Sequence, residues 1–213
     1  DSGVGKTALV EGLAYNIVNG NVPTFLENTE IWELDCGALI AGATYKGEIE
    51  DRLKKLISEL RQIEKVILFI DEIHILLDAK QGNSGAVNIL KPELSKGDLT
   101  VIGATTQDEY RKVVEPDSAL NRRFELLTLA EPNMEDAVTM VDFVKENYET
   151  YHNLKVSDEA LSSCVRMAKR YVKDRRLPDS AIDLLDRTMA AVKMVNETTA
   201  GEQAWLTREL DNI

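Results

Sequence analysis

The chain has too few cysteines for a disulfide framework, too few histidines for a metal cluster and too little positive charge for a nucleic-acid surface. Its two cysteines, Cys36 and Cys164, lie far apart without metal-ligand spacing, the usage of free buried thiols in a reducing cytosol, so a cytoplasmic location is expected. The two histidines, His74 and His152, are isolated, and His74 reads as structural. Lys and Arg number 25 against 37 Asp and Glu, a net charge of −12. A broad basic face for nucleic acid is therefore not expected, which disfavours helicases and DNA loaders. No apolar run approaches the ~20 residues of a membrane span, and no charged-then-apolar leader opens the chain, so no membrane role is expected. The 213 residues, 44% hydrophobic and 29% charged, suit a globular protein with one sizeable core and a smaller second one.

The first seven residues, Asp1-Ser2-Gly3-Val4-Gly5-Lys6-Thr7, fit the phosphate loop G-x-x-x-x-G-K-[ST] except for the leading glycine, which would fall one position before the start. Glycines let successive backbone N–H groups curl round a polyphosphate, Lys6 adds a cation, and the Thr7 hydroxyl reaches Mg²⁺. The apolar-periodic run from Ala8 to Val18 supplies a helix whose positive end faces the phosphates. A chance string in an ordinary loop is the bland alternative. A second motif weighs against it. Val66-Ile67-Leu68-Phe69-Ile70 is unbroken apolar sequence, the mark of a parallel strand buried on both faces, and it ends in Asp71-Glu72. Acids there stand outside the carboxyl edge of a sheet, where α/β folds bind ligands. Asp71 suits a Mg²⁺ shell and Glu72 the polarising of an attacking water. An acidic strand cap is common alone, but the pair of motifs points to a nucleoside triphosphatase.

The pattern predicts a helix from Thr7 to Val18, a strand over Ile31–Leu34, an amphipathic helix over Ile49–Ile63, the acidic strand, and a helix over Ala86–Leu94 despite Pro92. A buried strand from Leu99 runs into Thr105-Thr106, and a last strand is expected over Phe124–Leu129. After Pro132 only helices are expected, capped by Asn133 and Ser157 and, for the third, opened by Pro178. The expected division is 1–132 as α/β, 133–200 as a small helical part and 201–213 as the start of a linker or middle region. Because a phosphate loop normally follows a buried strand, the chain reads as a piece of a longer one whose sheet lacks a central member.

Three further features extend the reading. A polar side chain at Thr105-Thr106 can sit between phosphate and Glu72, although strand ends also simply favour Thr. Arg122 and Arg123, before Phe124, suit a guanidinium fork offered to a neighbour's γ-phosphate, or else a surface ion pair. The stretch Gly42-Ala43-Thr44-Tyr45-Lys46-Gly47-Glu48 offers an aromatic–cation pair on a loop able to grip an extended peptide, or a plain turn tyrosine.

Together SGVGKTALVEGLA, GATYKGEIEDRLK, ILFIDEIH, NILKPEL, IGATTQDEYRKVVEPDSALNRRFE and RRLPDSAIDLLD resemble the first ATPase module of the Clp family of AAA+ unfoldases, the class containing ClpA, ClpB and ClpC. The likeness runs from residue 1 to about Asn196. It implies an α/β fold, an AAA+ P-loop parallel sheet flanked by helices and followed by a small all-α lid. It implies ATP and Mg²⁺ bound by Gly3, Val4, Gly5, Lys6, Thr7 and Ala8, with Thr7 and Asp71 at the metal. Glu72 takes the catalytic acid's place, Thr106 the first sensor's, and Arg122 and Arg123 that of the trans-acting arginines. Pro178, Asp179 and Ile182 would line the adenine, and Tyr45 with Lys46 would form the pore loop that pulls substrate. The second-sensor arginine is absent, as in this family's first module, and the stretch between His74 and Leu90 is short, which puts the second pore loop in doubt.

The implied function is ATP hydrolysis in a homo-hexameric unfoldase or disaggregase acting on unfolded or aggregated polypeptide, with a peptidase or co-chaperone as further partner. Regulation of a Clp protease and secretion-sheath recycling are the alternatives within the family. A non-catalytic module that holds the hexamer together through nucleotide-dependent contacts is the alternative of another class. The 213 residues alone are expected to be inactive, since hydrolysis needs a neighbour's arginines and a complete loop.

Overall fold

A computed structural model describes residues 1–41, 47–78, 84–97 and 99–211, side chains at 84, 95 and 200–211 aside. The chain forms two compact units, one of residues 6–128 and one of residues 1–5 with 129–213.

In the first unit three parallel strands, β1 (Glu30–Leu34), β2 (Val66–Ile70) and β3 (Thr100–Gly103), pair in the order β1-β2-β3. Ile31 stands opposite Ile67, and Ile67 opposite Thr100. The unbroken apolar sequence of β2 has its cause here: it is the central strand, and its two faces are both covered. Leu68 and Ile70 enter a cluster with Leu53, Ile57 and Leu60 of α3 (Glu48–Leu60) and with Ala86 and Leu90 of α5 (Ser84–Lys96). Phe69 points the other way, against Val10 of α1 (Lys6–Val18) and Ala104. A side-chain period of two on β2 therefore feeds two cores. The α3 residues recur at the i, i+4, i+7 spacing of one helical stripe, and Glu48, Glu50 and Asp51 place negative charge at its N-terminal end.

Two short helices, α2 (Cys36–Ile40) and α4 (His74–Leu77), follow β1 and β2, and α6 (Gln107–Glu109), a π-helical turn (Tyr110–Val114) and α7 (Ser118–Asn121) follow β3. The strand expected over Phe124–Leu129 is absent. The only ladders among the described residues are β1–β2 and β2–β3. Without a pairing strand the segment's backbone stays irregular, and Leu126 and Leu127 are 60% and 75% exposed while Phe124 packs on the core. Apolar sequence alone does not make a strand; a hydrogen-bonding neighbour does.

The second unit is helical: α8 (Met134–His152), α9 (Asp158–Tyr171) and α10 (Asp179–Asp211). The side chains of Asn133 and Ser157 accept from the N–H groups of Asp136 and Ala160 as caps. Pro178 stands just before the first turn of α10, its carbonyl accepting from the Ile182 N–H. Ala137 and Val141, Leu161, Val165 and Ala168, and Ala181, Leu185 and Met189 pack as one core. α8 ends at His152, whose Nε2 lies 2.6 Å from Asp186 Oδ1 on α10. Residues 201–211 continue α10 as helix. Among the described residues no helix is long and apolar enough to cross a membrane.

Glu131 ties this unit's loops together. Its carboxylate accepts from the Leu177 N–H (3.1 Å) and pairs with Lys169 (2.6 Å). Burial pushes its pKa up, but Lys169, the Leu177 N–H and Arg176 outweigh burial and hold it below the ordinary 4.5. A carboxylate with a lowered folded pKa contributes stability that is present above the unfolded value and lost as pH falls through the folded one. Glu131→Gln should therefore cost about 1–2 kcal/mol near neutrality. In thermal unfolding the gap between wild type and variant should close below pH 4.5; a gap constant with pH would rule out the carboxylate as its source.

Candidate nucleotide site

The opening loop changes units at its last glycine. Gly3 (φ 79°) and Gly5 (φ 92°) adopt the left-handed backbone that glycine takes freely. At Gly3 the requirement is also steric: a Cβ there would stand 2.8 Å from the Asp179 Cβ, and the Gly3 carbonyl accepts from the Asp179 N–H at 3.3 Å. The first loop glycine thus lies against Asp179 and the Arg176 carbonyl, within the same unit. Val4 is buried beside it in sequence, whereas nothing lies within 4 Å of a Cβ position at Gly5.

Lys6 opens α1, and the first N–H groups of this 13-residue helix, including those of Thr7 and Ala8, have no acceptor within it. The Thr7 hydroxyl donates to Asp71 Oδ2 at 2.9 Å across 64 positions of sequence. A hydroxyl and a carboxylate oxygen so close can share one hard divalent cation, which takes oxygen ligands. The residues present therefore fit Mg²⁺. Among the described residues no group of three or more His, Cys, Asp or Glu forms a separate metal cluster.

Glu72 is exposed and sits at φ 49°, a conformation that costs a non-glycine residue about 1 kcal/mol or more. Several bonds hold it. Its N–H donates to Asp71 Oδ1 (2.9 Å), its carbonyl accepts from the Ile75 N–H (2.8 Å), and the Cys36 thiol donates to the Asp71 carbonyl (3.5 Å). Burial first, then the charges of Asp35, Asp71 and Glu72, push the Cys36 thiol up to about 11, so it stays a protonated donor at neutral pH. Nothing in the spacing of Cys36 announces this role; only the return of α2 to the end of β2 does.

The two threonines after β3 do different things. Thr106 accepts from the Glu109 N–H and caps α6 (3.3 Å), while Thr105 Oγ1 shares a 3.0 Å hydrogen bond with His74 Nδ1. Arg122 and Arg123 follow α7, both exposed. Their turn is pinned on both sides, by buried Leu120 and core-packed Phe124. Tyr110 donates to Asn121 at 2.7 Å, and Asp117 caps α7 and pairs with Lys91 of α5. Thr7, Asp71 and Glu72 are thus brought together at the end of β2, and the arginines are presented outward from a braced turn. Tyr45 and Lys46 lie outside the described residues, as do residues 79–83 of the stretch between His74 and Leu90.

Residues 1–131 match the family model of the ATPase family associated with various cellular activities (AAA), and residues 133–213 match that of the AAA lid domain. The chain belongs to the AAA family. Over its whole length this AAA module is 45% identical to "ATP-dependent Clp protease ATP-binding subunit ClpC" of Staphylococcus aureus (strain USA300), and equally to that of Staphylococcus epidermidis. It spans 26% of the former's length, about a quarter. It is similar to the solved S. cerevisiae Hsp104–ADP complex, with a TM-score of 0.86 and 44% identity over 93% of this chain and 34% of that one. The S. cerevisiae Hsp104–casein complex gives 0.82 and 44% over 92% and 34%. The Clp-type resemblance is borne out, as is the fold it implied, a parallel sheet flanked by helices with a helical lid after it. Membership in an ATPase family makes this a nucleotide-binding module.

Proposed function

We propose that this AAA module hydrolyses ATP within a homo-hexameric protein unfoldase or disaggregase and so drives polypeptide through a central pore. The observation that carries the reading is the Thr7–Asp71 hydrogen bond, which sets a phosphate-loop hydroxyl against an acid at the end of β2 with Glu72 next in sequence. Gly3, Val4 and Gly5, with the N–H groups of Lys6, Thr7 and Ala8, hold the phosphates, and Lys6 pairs with their oxygens. Mg²⁺, held by Thr7 and Asp71, would neutralise charge on those oxygens. Pro178, Asp179 and Ile182 take the adenine, a role supported by the contact of Asp179 with Gly3. Glu72 orients and deprotonates the attacking water, and Thr106 responds to the γ-phosphate. Arg122 and Arg123 serve the site of a neighbouring subunit, for which their exposure on a braced turn suits them. Tyr45 and Lys46 grip the polypeptide.

The similarity to an Hsp104–casein complex supports unfolded polypeptide as substrate. The similarity to ClpC favours one second reading, a regulatory ATPase subunit that hands substrate to a Clp peptidase. The unpaired thiols Cys36 and Cys164 accord with a cytoplasmic location. A module that only holds the assembly together through bound nucleotide would use Lys6 and Asp71 but would have no use for Glu72.

Lys6→Ala tests the site. Loss of a charge-assisted hydrogen bond to phosphate should weaken Mg–ATP binding roughly 10- to 100-fold in calorimetric titration of the full-length protein. An affinity at this module unchanged by the substitution would remove the loop from the nucleotide site.

A further inference from the structure

We infer that His74 is a positioning residue for Glu72, joined through Thr105 to the end of β3, so that the segment facing the γ-phosphate and the acid that activates water move together. The inference rests on the nucleotide-site reading above and adds a residue to it. Three bonds join the end of β2 and the turn after it to the segment after β3. The Ala104 N–H donates to the Ile70 carbonyl (2.9 Å), the Ile73 N–H donates to the Ala104 carbonyl (3.0 Å), and His74 Nδ1 bonds Thr105 Oγ1 (3.0 Å). The first two are backbone bonds that any sequence could make. The third depends on two side chains, and it holds the residue two positions beyond Glu72.

Packing makes the same join. A Cβ at Gly103 would stand 2.7 Å from Ile73 Cδ1, so β3 and the residue after Glu72 are in contact with no slack between them. Glu72 is exposed and strained, and its direction is set by its turn rather than by side-chain burial. Anything that shifts Thr105 therefore shifts the turn that aims the carboxylate. Thr106 has another duty, since its oxygen caps α6. The adjacent threonines divide the work: one anchors the helix that follows, and the other fixes the histidine beside the catalytic acid. His74 touches no reacting group in this scheme and acts through Glu72.

The test compares ATP binding with single-turnover hydrolysis in the full-length protein, with the Lys6→Ala rate subtracted as hydrolysis arising elsewhere. Thr105→Val, which keeps shape and removes the hydroxyl, should lower the hydrolysis rate roughly tenfold and leave ATP affinity unchanged. Thr105→Ser should restore the rate, His74→Ala should match the loss, and the double variant should lose no more than either single one. Additive losses, or a fall in affinity in place of rate, would overturn the inference. If Glu72→Gln stops hydrolysis while Thr105→Val and His74→Ala leave it intact, the inference fails and the site stands. If hydrolysis survives Glu72→Gln, both fail.

Discussion

Glu72→Gln is expected to slow ATP hydrolysis at this module by about 10²–10⁴-fold, the usual worth of a positioned general base, with nucleotide affinity nearly unchanged. The amide keeps the side chain's length and a hydrogen-bonding oxygen but cannot take a proton from water. The backbone bonds that shape the turn, from the Glu72 N–H to Asp71 Oδ1 and from the Ile75 N–H to the Glu72 carbonyl, do not involve the substituted group. The Thr7–Asp71 hydrogen bond is likewise untouched. Loss should therefore fall on the hydrolysis rate and spare binding. The full-length variant should trap ATP and fail to unfold a substrate protein. Unfolding largely retained in the variant would favour a module that only holds the assembly together.

Replacing both Arg122 and Arg123 by Ala should cost on the order of 10³–10⁵ in hydrolysis, the range for an arginine that stabilises charge on a transferring phosphoryl group. The rival account, a solvent-exposed ion pair, predicts a stability change of about 1 kcal/mol or less and no kinetic effect. The two are far enough apart that a single assay separates them. The site served is expected to be a neighbour's, and mixing tests this. Arginine-deficient subunits mixed with Lys6→Ala subunits place an intact loop beside intact arginines at some interfaces, so activity should reappear. Silence in the mixture, with mixed assembly verified, would assign the arginines to their own subunit's site. Arg→Lys should not rescue, because an ammonium lacks the planar fork that pairs two phosphate oxygens.

The nucleotide-binding class of the chain is legible in its sequence. Glycines at 3 and 5 with Lys6 and Thr7, and an apolar run stopped by Asp71-Glu72, point to a bound nucleotide through residue type and local order. The same holds for α3's apolar stripe, for the capping side chains of Asn133 and Ser157, and for the central burial of β2. These features depend on a few neighbouring residues, so periodicity and short spacing carry them. The segment 124–129 shows where that reasoning stops: its apolar residues suit a strand, but whether a strand forms depends on a pairing neighbour, and no residue within the segment reports one.

The amino-acid sequence by itself determined the class of chemistry, the periodicity of the helices and the place of each candidate group along the chain. Only tertiary structure decided which groups meet. It set Thr7 against Asp71 across 64 residues, Cys36 beneath the Asp71 carbonyl, Thr105 on His74, and Asp179 in the space that a side chain at Gly3 would need. Each of these contacts joins elements brought together by a parallel sheet or a helical core, and parallel pairing needs long connections between strands. Partners so joined are distant in sequence, and no local pattern of residues records them.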